Sequence, residues 1–198
     1  MTLHSAASCY PDNPTYTEQQ LMQTWLDMFQ ATITCPSCRE HFETAVRAYR
    51  GHYPSMLNSR KDFLLFTFRV HNSVNRRINK ILYPTVAECF SALQLNVKTR
   101  SAREYRKAYL SHIQRFWRTM QDVNGMVASK KIIEMVKIEV DYFQKRDNNF
   151  EVVIDEDSVL LHPAVMNRSE PSEIPQFHIE QQTLPRPVFF GGRFRFRR

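Results

Sequence analysis

Glycine occupies 4 of the 198 positions, and this scarcity is the strongest restriction on what the chain can fold into. Tight turns and close approaches of the backbone to a ligand use glycine more than any other residue. The glycine-rich phosphate loops GxGxxG and GxxxxGKS/T are both missing from the sequence. A nucleotide, if one binds, would therefore have to be held by side chains on helices.

Apolar residues recur at helical spacing through the first half of the chain, which predicts four or five short helices in a bundle. Thr17 with Gln20 predicts a capping box at one helix start, and Ser59 with Asp62 predicts another. Pro36 fits the first turn of a third helix. The apolar residues of the stripes include Leu21, Trp25, Met28, Phe29, Phe63, Phe66, Val70, Val74, Val86, Phe90 and Leu93.

The second half of the chain changes character twice. Residues 101–146 continue the helical repeat, with Gly125 predicted to interrupt it. Residues 151–161 predict a strand or hairpin, and residues 163–198, which contain five prolines, predict an extended arm ordered by a partner.

Cys35-Pro36-Ser37-Cys38 is the sequence feature that most directly indicates chemistry. A helix N-terminus stabilises negative charge, which lowers a cysteine pKa and favours a reactive thiolate. The alternative is half of a zinc site, but zinc needs four ligands and a second CxxC or HxxxH is missing, so no metal site is predicted. The pair therefore indicates redox work.

His71-Asn72-Ser73-Val74-Asn75, followed by Lys80, is the second candidate site. The histidine and the two asparagines share one helix face, where they offer a ring and amide groups. Arg77 or Lys80 adds positive charge suited to a diphosphate. This pattern fits an adenine nucleotide, although in isolation an ordinary polar helix face is the better explanation.

Together with an N-terminal segment, these motifs have the order LHxxA, YPxxPT, CPxCxxHF, SRxxF and HNxVN, and over residues 2–93 the chain resembles the Erv/ALR sulfhydryl oxidases. The matching residues are Leu3, His4, Ala7, Tyr10, Pro11, Pro14, Thr15, Glu18, Gln19, Phe29, Cys35, Pro36, Cys38, His41, Phe42, Ser59, Arg60, Phe63, His71, Asn72, Val74, Asn75 and Lys80.

The resemblance implies a mainly α fold, a four-helix bundle with a short fifth helix, that binds FAD and forms a homodimer. Cys35 and Cys38 are implied as the catalytic pair, with Cys35 facing the substrate thiol and Cys38 next to the flavin. Electrons would pass from protein thiols to FAD and then to oxygen, giving hydrogen peroxide. The residues implied in cofactor binding are His4, Tyr10, His41, His71, Asn72, Val74, Asn75 and Lys80.

Two departures from the family pattern concern cysteines. The usual structural disulfide after HNxVN needs two cysteines, and Cys89 alone is available there. A shuttle cysteine pair is missing, so Cys35 would take electrons directly from substrate. Cys9 is predicted to be a buried, inert thiol.

The predicted division is an oxidase domain at 1–95, a helical extension at 96–150, and a strand-like segment with a Pro-rich basic arm at 151–198. The net charge is +7, and arginines crowd the C-terminal end. That end is predicted to bind other virion proteins or nucleic acid.

No apolar run is long enough to span a membrane, and no secretory signal is visible, so a cytoplasmic or virion-associated viral protein is expected.

Two other interpretations stay open. The bundle could persist without flavin as a structural or interaction protein of a virus particle. A zinc-stabilised nucleic-acid binder, built on the CPSC pair and the basic tail, is a third possibility.

Overall fold

The computed structural model describes residues 1–98 and 100–146. They form seven α-helices: α1 (Thr2–Ser8), α2 (Tyr16–Thr32), α3 (Pro36–His52), α4 (Arg60–Arg77), α5 (Val86–Val97), α6 (Ala102–Arg118) and α7 (Val123–Asp141). A short 3-10 turn, Phe143–Lys145, follows α7. The described residues contain no β-strand, which confirms the mainly α fold. The predicted strand at 151–161 and the arm at 163–198 lie outside them.

Side-chain caps set the helix starts. Ser59 accepts a hydrogen bond from the Asp62 amide, as predicted, and Pro36 occupies the first turn of α3. The predicted capping box of α2 is wrong, because its partners are Thr15 and Glu18. Thr15 accepts from the Glu18 amide, and the Glu18 carboxylate accepts from the Thr15 amide. The helix therefore begins at Tyr16, one residue before the predicted cap.

The predicted interruption at Gly125 is also wrong. Gly125 lies in the first turn of α7, and the break falls between Arg118 and Val123. A Cβ on Gly125 would stand 2.1 Å from the Met120 carbonyl oxygen, and the Gly125 amide donates to Asp122 Oδ1 at 2.7 Å. The glycine is thus needed for the close approach of the α6–α7 turn, not for a helix break.

The core is continuous from the N-terminal helices into α6 and α7. Buried aromatic and aliphatic residues from all seven helices belong to one packed cluster. Helix α6 packs against α1, and α7 packs against α2, while α3 and α4 contact each other on another side. Trp25 of α2 illustrates the continuity, because its ring stacks on Phe29 and meets Phe143 edge to face.

None of the helices in the described part of the chain is both long and apolar enough to cross a bilayer.

Candidate redox site

The α2–α3 connection carries a disulfide between Cys35 and Cys38, whose Cα atoms are 5.2 Å apart. Cys35 is the N-cap of α3, and its Sγ accepts a hydrogen bond from the Cys38 amide at 3.3 Å. Pro36 supplies the fixed φ that a first helical position needs and lacks the amide that would be left unbonded there. The CPSC sequence therefore places both sulfur atoms at a helix N-terminus, where negative charge is stabilised.

The two cysteines differ in accessibility. Cys35 is exposed, whereas Cys38 is half-buried. The Arg77 guanidinium, at the C-terminal end of α4, lies with Nη2 4.0 Å from Cys38 Sγ. His41 follows one turn later on α3, and burial, with a further contribution from Arg77, lowers its pKa. A thiol from another molecule can thus reach Cys35 more easily than Cys38, and a thiolate at Cys38 would have a cation beside it.

His4 and His71 join α1 to α4. His4 Nδ1 is 3.0 Å from Thr67 Oγ1, and His4 Nε2 is 3.1 Å from His71 Nδ1. Burial lowers the pKa of both histidines, that of His4 strongly, so both rings are neutral at pH 7. The two predicted cofactor residues, 67 positions apart in sequence, are in direct contact.

Cys89 of α5 completes this cluster. Its Sγ lies 3.9 Å from His71 Nδ1, and the three ligand-type atoms of Cys89, His4 and His71 lie within 4.8 Å of one another. Burial raises the pKa of the Cys89 thiol to about 12, so it stays protonated. Sequence reasoning considers Cys89 as a disulfide partner, or as a zinc ligand brought in by chance of the fold, and misses its contact with His71, for which the sequence holds no local signal.

Asn72 and Asn75 bond to the backbone that follows α4. Asn72 Nδ2 donates to the Tyr83 carbonyl at 2.9 Å, and the Tyr83 amide donates to Asn72 Oδ1 at 3.0 Å. Asn75 Nδ2 donates to the Ile81 carbonyl at 3.1 Å. The two side-chain amides therefore fix the path of the 79–83 segment. Their predicted contact with a cofactor would have to use the amide hydrogen-bond donors and acceptors that these bonds leave free.

The remaining predicted residues occupy different settings. Lys80 is exposed, and its amide donates to the Asn75 carbonyl at 2.8 Å. Val74 is half-buried on α4. Tyr10 is completely buried, its hydroxyl donates to the Leu57 carbonyl at 2.8 Å, and burial raises its pKa. Tyr10 is thus held in the core through its hydroxyl.

Cys9 is buried, as predicted. Its Sγ accepts from Arg106 Nη1 at 3.4 Å, and Arg106 also forms a two-point ion pair with Glu139. Sequence reasoning does not identify Arg106 or Glu139, because neither residue type signals burial. Their cluster joins α1, α6 and α7.

Helix α4 connects the two predicted motifs. His71 and Arg77 are six residues apart, which places them about 9 Å apart along the helix axis. One end of this stretch contacts His4, and the other contacts Cys38. Helix α4 therefore carries imidazole rings and amides at one end of this stretch and a cation beside the disulfide at the other, and this donor set is chemically suited to a planar ring system linked to a diphosphate.

Known proteins resemble the N-terminal half of this chain. The model of the Erv1 / Alr family matches residues 1–100. The FAD-linked sulfhydryl oxidase of African swine fever virus (isolate Tick/Malawi/Lil 20-1/1983) is 35% identical over 79 residues, covering 40% of this chain and 63% of the relative. The putative FAD-linked sulfhydryl oxidase 096R of Invertebrate iridescent virus 3 is 34% identical over 79 residues, covering 40% and 52%.

A plant relative, FAD-linked sulfhydryl oxidase ERV1 of Arabidopsis thaliana, is 28% identical over 82 residues, covering 41% of each chain. The chain thus spans less than two thirds of the length of these relatives. No solved structure matches the chain. The family model covers just over half of the residues, and it includes both the CPSC and the HNSVN motifs. This chain belongs to the Erv1/Alr family.

Proposed function

We propose that the chain is an FAD-linked thiol oxidase that makes disulfides in other proteins. The observation that carries the proposal is the Cys35–Cys38 disulfide, with its exposed outer sulfur and an inner sulfur beside Arg77 at the end of the HNSVN helix. The relatives named as FAD-linked sulfhydryl oxidases support it. Viral relatives also favour a viral protein that works in a cytoplasmic or virion setting.

The first step is a thiol–disulfide exchange. A substrate thiolate attacks Cys35 Sγ, a bond forms between the two sulfurs, and the Cys35–Cys38 bond breaks. Cys38 Sγ takes the electron pair as a thiolate, which the Arg77 guanidinium and the amides at the start of α3 stabilise. His41 is a neutral base on the next turn of α3, available to take up a proton.

The second exchange frees the product. A second substrate thiolate attacks the substrate sulfur that is bonded to Cys35, so the substrate leaves as a disulfide and Cys35 becomes a thiolate. The enzyme then holds the two electrons that the substrate lost. Bound FAD would accept these two electrons and pass them to oxygen, giving hydrogen peroxide.

The residues proposed to hold the FAD lie along α4, from Arg77 beside the disulfide to His71, and at the α1–α4 contact. His71 and His4 offer ring faces at the α1–α4 contact, Arg77 and Lys80 supply positive charge for the diphosphate, and Val74 supplies an apolar contact. Asn72 and Asn75 are proposed to act mainly by fixing the 79–83 segment, given their bonds to Tyr83 and Ile81. A homodimer, as the resemblance implies, is part of the same proposal.

The proposal is tested by the visible absorption spectrum of the purified, undenatured chain. A flavin band that bleaches with dithiothreitol and returns in air is expected, and Cys38→Ser is expected to remove that cycle while keeping the band. Cys9→Ser serves as the matched control, because Cys9 lies in the Arg106 cluster away from the redox disulfide. A protein that stays colourless after addition of FAD would instead indicate a flavin-free structural or interaction module.

A further inference from the structure

Helix α6 reaches the redox disulfide, although it lies beyond the residues that the family model matches. Thr34, the residue immediately before Cys35, has its Oγ1 3.5 Å from His112 Nε2 of α6. Trp117 of α6 donates from Nε1 to the Thr32 carbonyl at 3.0 Å. The extension therefore holds the segment that leads into Cys35 at two points.

A cation from α3 lies over the same part of α6. The Arg39 guanidinium stands 6.0 Å from the centre of the Trp117 ring, and Arg39 directly follows Cys38 in sequence. Trp117 is buried, whereas His112 is exposed and Arg39 is half-buried. Arg39 is thus held beside the disulfide by a residue of the extension while part of its side chain remains accessible.

The charges around the disulfide are mainly positive. Arg39 follows Cys38 on α3, and Arg77 approaches it from α4. The first turn of α3 holds no acidic residue, and Glu40 is the first one along that helix. The last turn of α6, which contains Trp117, also carries Arg115 and Arg118, and Asp122 stands at the start of α7. A positive field of this kind speeds the approach of negatively charged partners.

We propose that α6 forms one wall of the substrate entrance at Cys35, and that this entrance selects protein thiols flanked by carboxylates. The inference rests on the proposed thiol oxidase function and names its substrate class. His112 and Arg39 border the entrance, and Trp117 is a positioning residue that holds Arg39 and the Thr32 carbonyl. The substrate specificity would then depend on a helix that lies outside the family match.

The test measures the first exchange step alone, in the full chain with an intact disulfide and without oxygen. Two dithiol peptides of equal length are compared, one with aspartates flanking the cysteines and one with lysines. The reduction of Cys35–Cys38 is followed by rapid alkylation and mass spectrometry. At low ionic strength the aspartate peptide is expected to react about tenfold faster, and the difference is expected to shrink as salt is added.

Variants that add negative charge at the entrance assign the preference to it. Arg39→Glu and His112→Glu are each expected to slow the aspartate peptide by about fivefold, the size of effect that exposed charge pairs give. Arg47→Glu, two turns along α3, and Lys107→Glu, on α6, are exposed controls expected to change little. Arg39→Gln is a second, milder variant, because it removes the charge without reversing it. The logarithm of the rate with the aspartate peptide is expected to fall about half as far as it does for Arg39→Glu.

Dithiothreitol attacks as a single thiolate and carries no flanking carboxylates, so the entrance substitutions should slow it much less than they slow the aspartate peptide if the α2–α3 connection is intact. Equal rates for the two peptides, or equal effects of the entrance and control substitutions, would overturn the inference. The exchange step needs no flavin. A colourless protein would therefore count against the proposed oxidase function, but the reaction rates of the two peptides could still be compared.

Discussion

The α1–α4 contact and the α6–α7 pair both bury polar side chains, but they use them differently. At the α1–α4 contact the buried groups are neutral imidazole, hydroxyl and amide groups around His4 and His71. Between α6 and α7 the buried groups are a full ion pair, Arg106 with Glu139. Neutral polar groups that still have free hydrogen-bond donors or acceptors are suited to binding a ligand. In a two-point ion pair each partner satisfies the charge and the hydrogen bonds of the other, so such a pair is suited to joining two helices.

This contrast indicates that α6 and α7 are part of the folded core and not an appendage. The Arg106 guanidinium reaches Glu139 on one side and Cys9 of the N-terminal segment on the other. An isolated surface helix would have no need to bury a charge. Substitutions in the two regions can test the contrast, beginning with the one expected to destabilise the protein most.

The largest effect is expected from Glu139→Ala, which removes one partner of the buried pair. Arg106 Nε donates to Glu139 Oε2 at 2.8 Å, and Arg106 is 1% exposed. An uncompensated buried charge costs about 3–5 kcal/mol, so the free energy of unfolding should fall by that amount in urea titrations.

Glu134→Ala is the matched control for the ion pair. Glu134 lies on the same helix and pairs with Lys137 at 2.8 Å, but both side chains are more than half exposed. Its loss should therefore change the unfolding free energy by less than about 1 kcal/mol. Similar costs for the two variants would mean that α7 is only loosely joined to the rest of the protein.

An intermediate effect is expected from Gly125→Ala at the α6–α7 turn. The added methyl would meet the Met120 carbonyl oxygen at 2.1 Å, which forces the turn to shift. Overpacking of this kind costs about 1–3 kcal/mol, measurable as a lowered melting temperature.

Gly51→Ala provides the opposite case near the end of α3, because a methyl group added there would have no described atom within 4 Å outside the adjoining helix backbone. It should be neutral or stabilise the protein by up to about 1 kcal/mol, since alanine is the better helix former. A destabilised Gly51→Ala together with an unaffected Gly125→Ala would contradict the packing described for the α6–α7 turn.

The smallest effect concerns pH and the α1–α4 contact. Burial lowers the pKa of His4 below that of the unfolded chain, so the unfolded state binds the proton more readily. Stability is therefore complete above the unfolded pKa of about 6.5 and is lost as the pH falls below it. Between pH 7 and pH 5.5 the loss attributable to His4 should be about 1 kcal/mol.

His4→Gln should remove that part of the pH dependence, and the exposed His52→Gln should leave it unchanged. The readout is the difference in unfolding free energy between the two pH values for each variant. An identical pH dependence in wild type and His4→Gln would show that burial at the α1–α4 contact does not keep His4 neutral. His71 and His41, whose pKa values burial also lowers, contribute in the same direction and are present in every variant compared.

Much of the fold can be predicted from local signals, and the errors have local causes. The cap at Ser59 is predictable because its partner Asp62 is close in sequence, and the start of α3 is predictable because Pro36 favours the first helical position. Thr15 and Thr17 both precede an acidic or amide residue by three positions, so pattern alone cannot choose between them. Gly125 resembles a helix breaker because its propensity is visible in sequence, whereas its contact with Met120 depends on the turn geometry.

The sequence predicts which residues belong to the site better than it predicts what those residues contact. The pairing of Cys35 with Cys38 follows from their spacing, and the resemblance places His4 and His71 in one site. The bonds of Asn72 to Tyr83 depend on the path of the 79–83 segment, which side-chain periodicity does not reveal. An amphipathic α6 likewise indicates that one face is covered, but not that Trp117 meets the Thr32 carbonyl beside the disulfide.

The position of Cys35 as the cap of α3 has a consequence for the direction of electron flow. Its sulfur accepts the Cys38 amide in the oxidised chain, and a thiolate would be a stronger acceptor at the same place. In the proposed second exchange Cys35 would therefore be a good leaving group, because the helix would gain a better cap when the substrate departs. In the proposed cycle the mixed disulfide would lack this stronger cap, so the local order of the first turn of α3 would be a reporter of turnover.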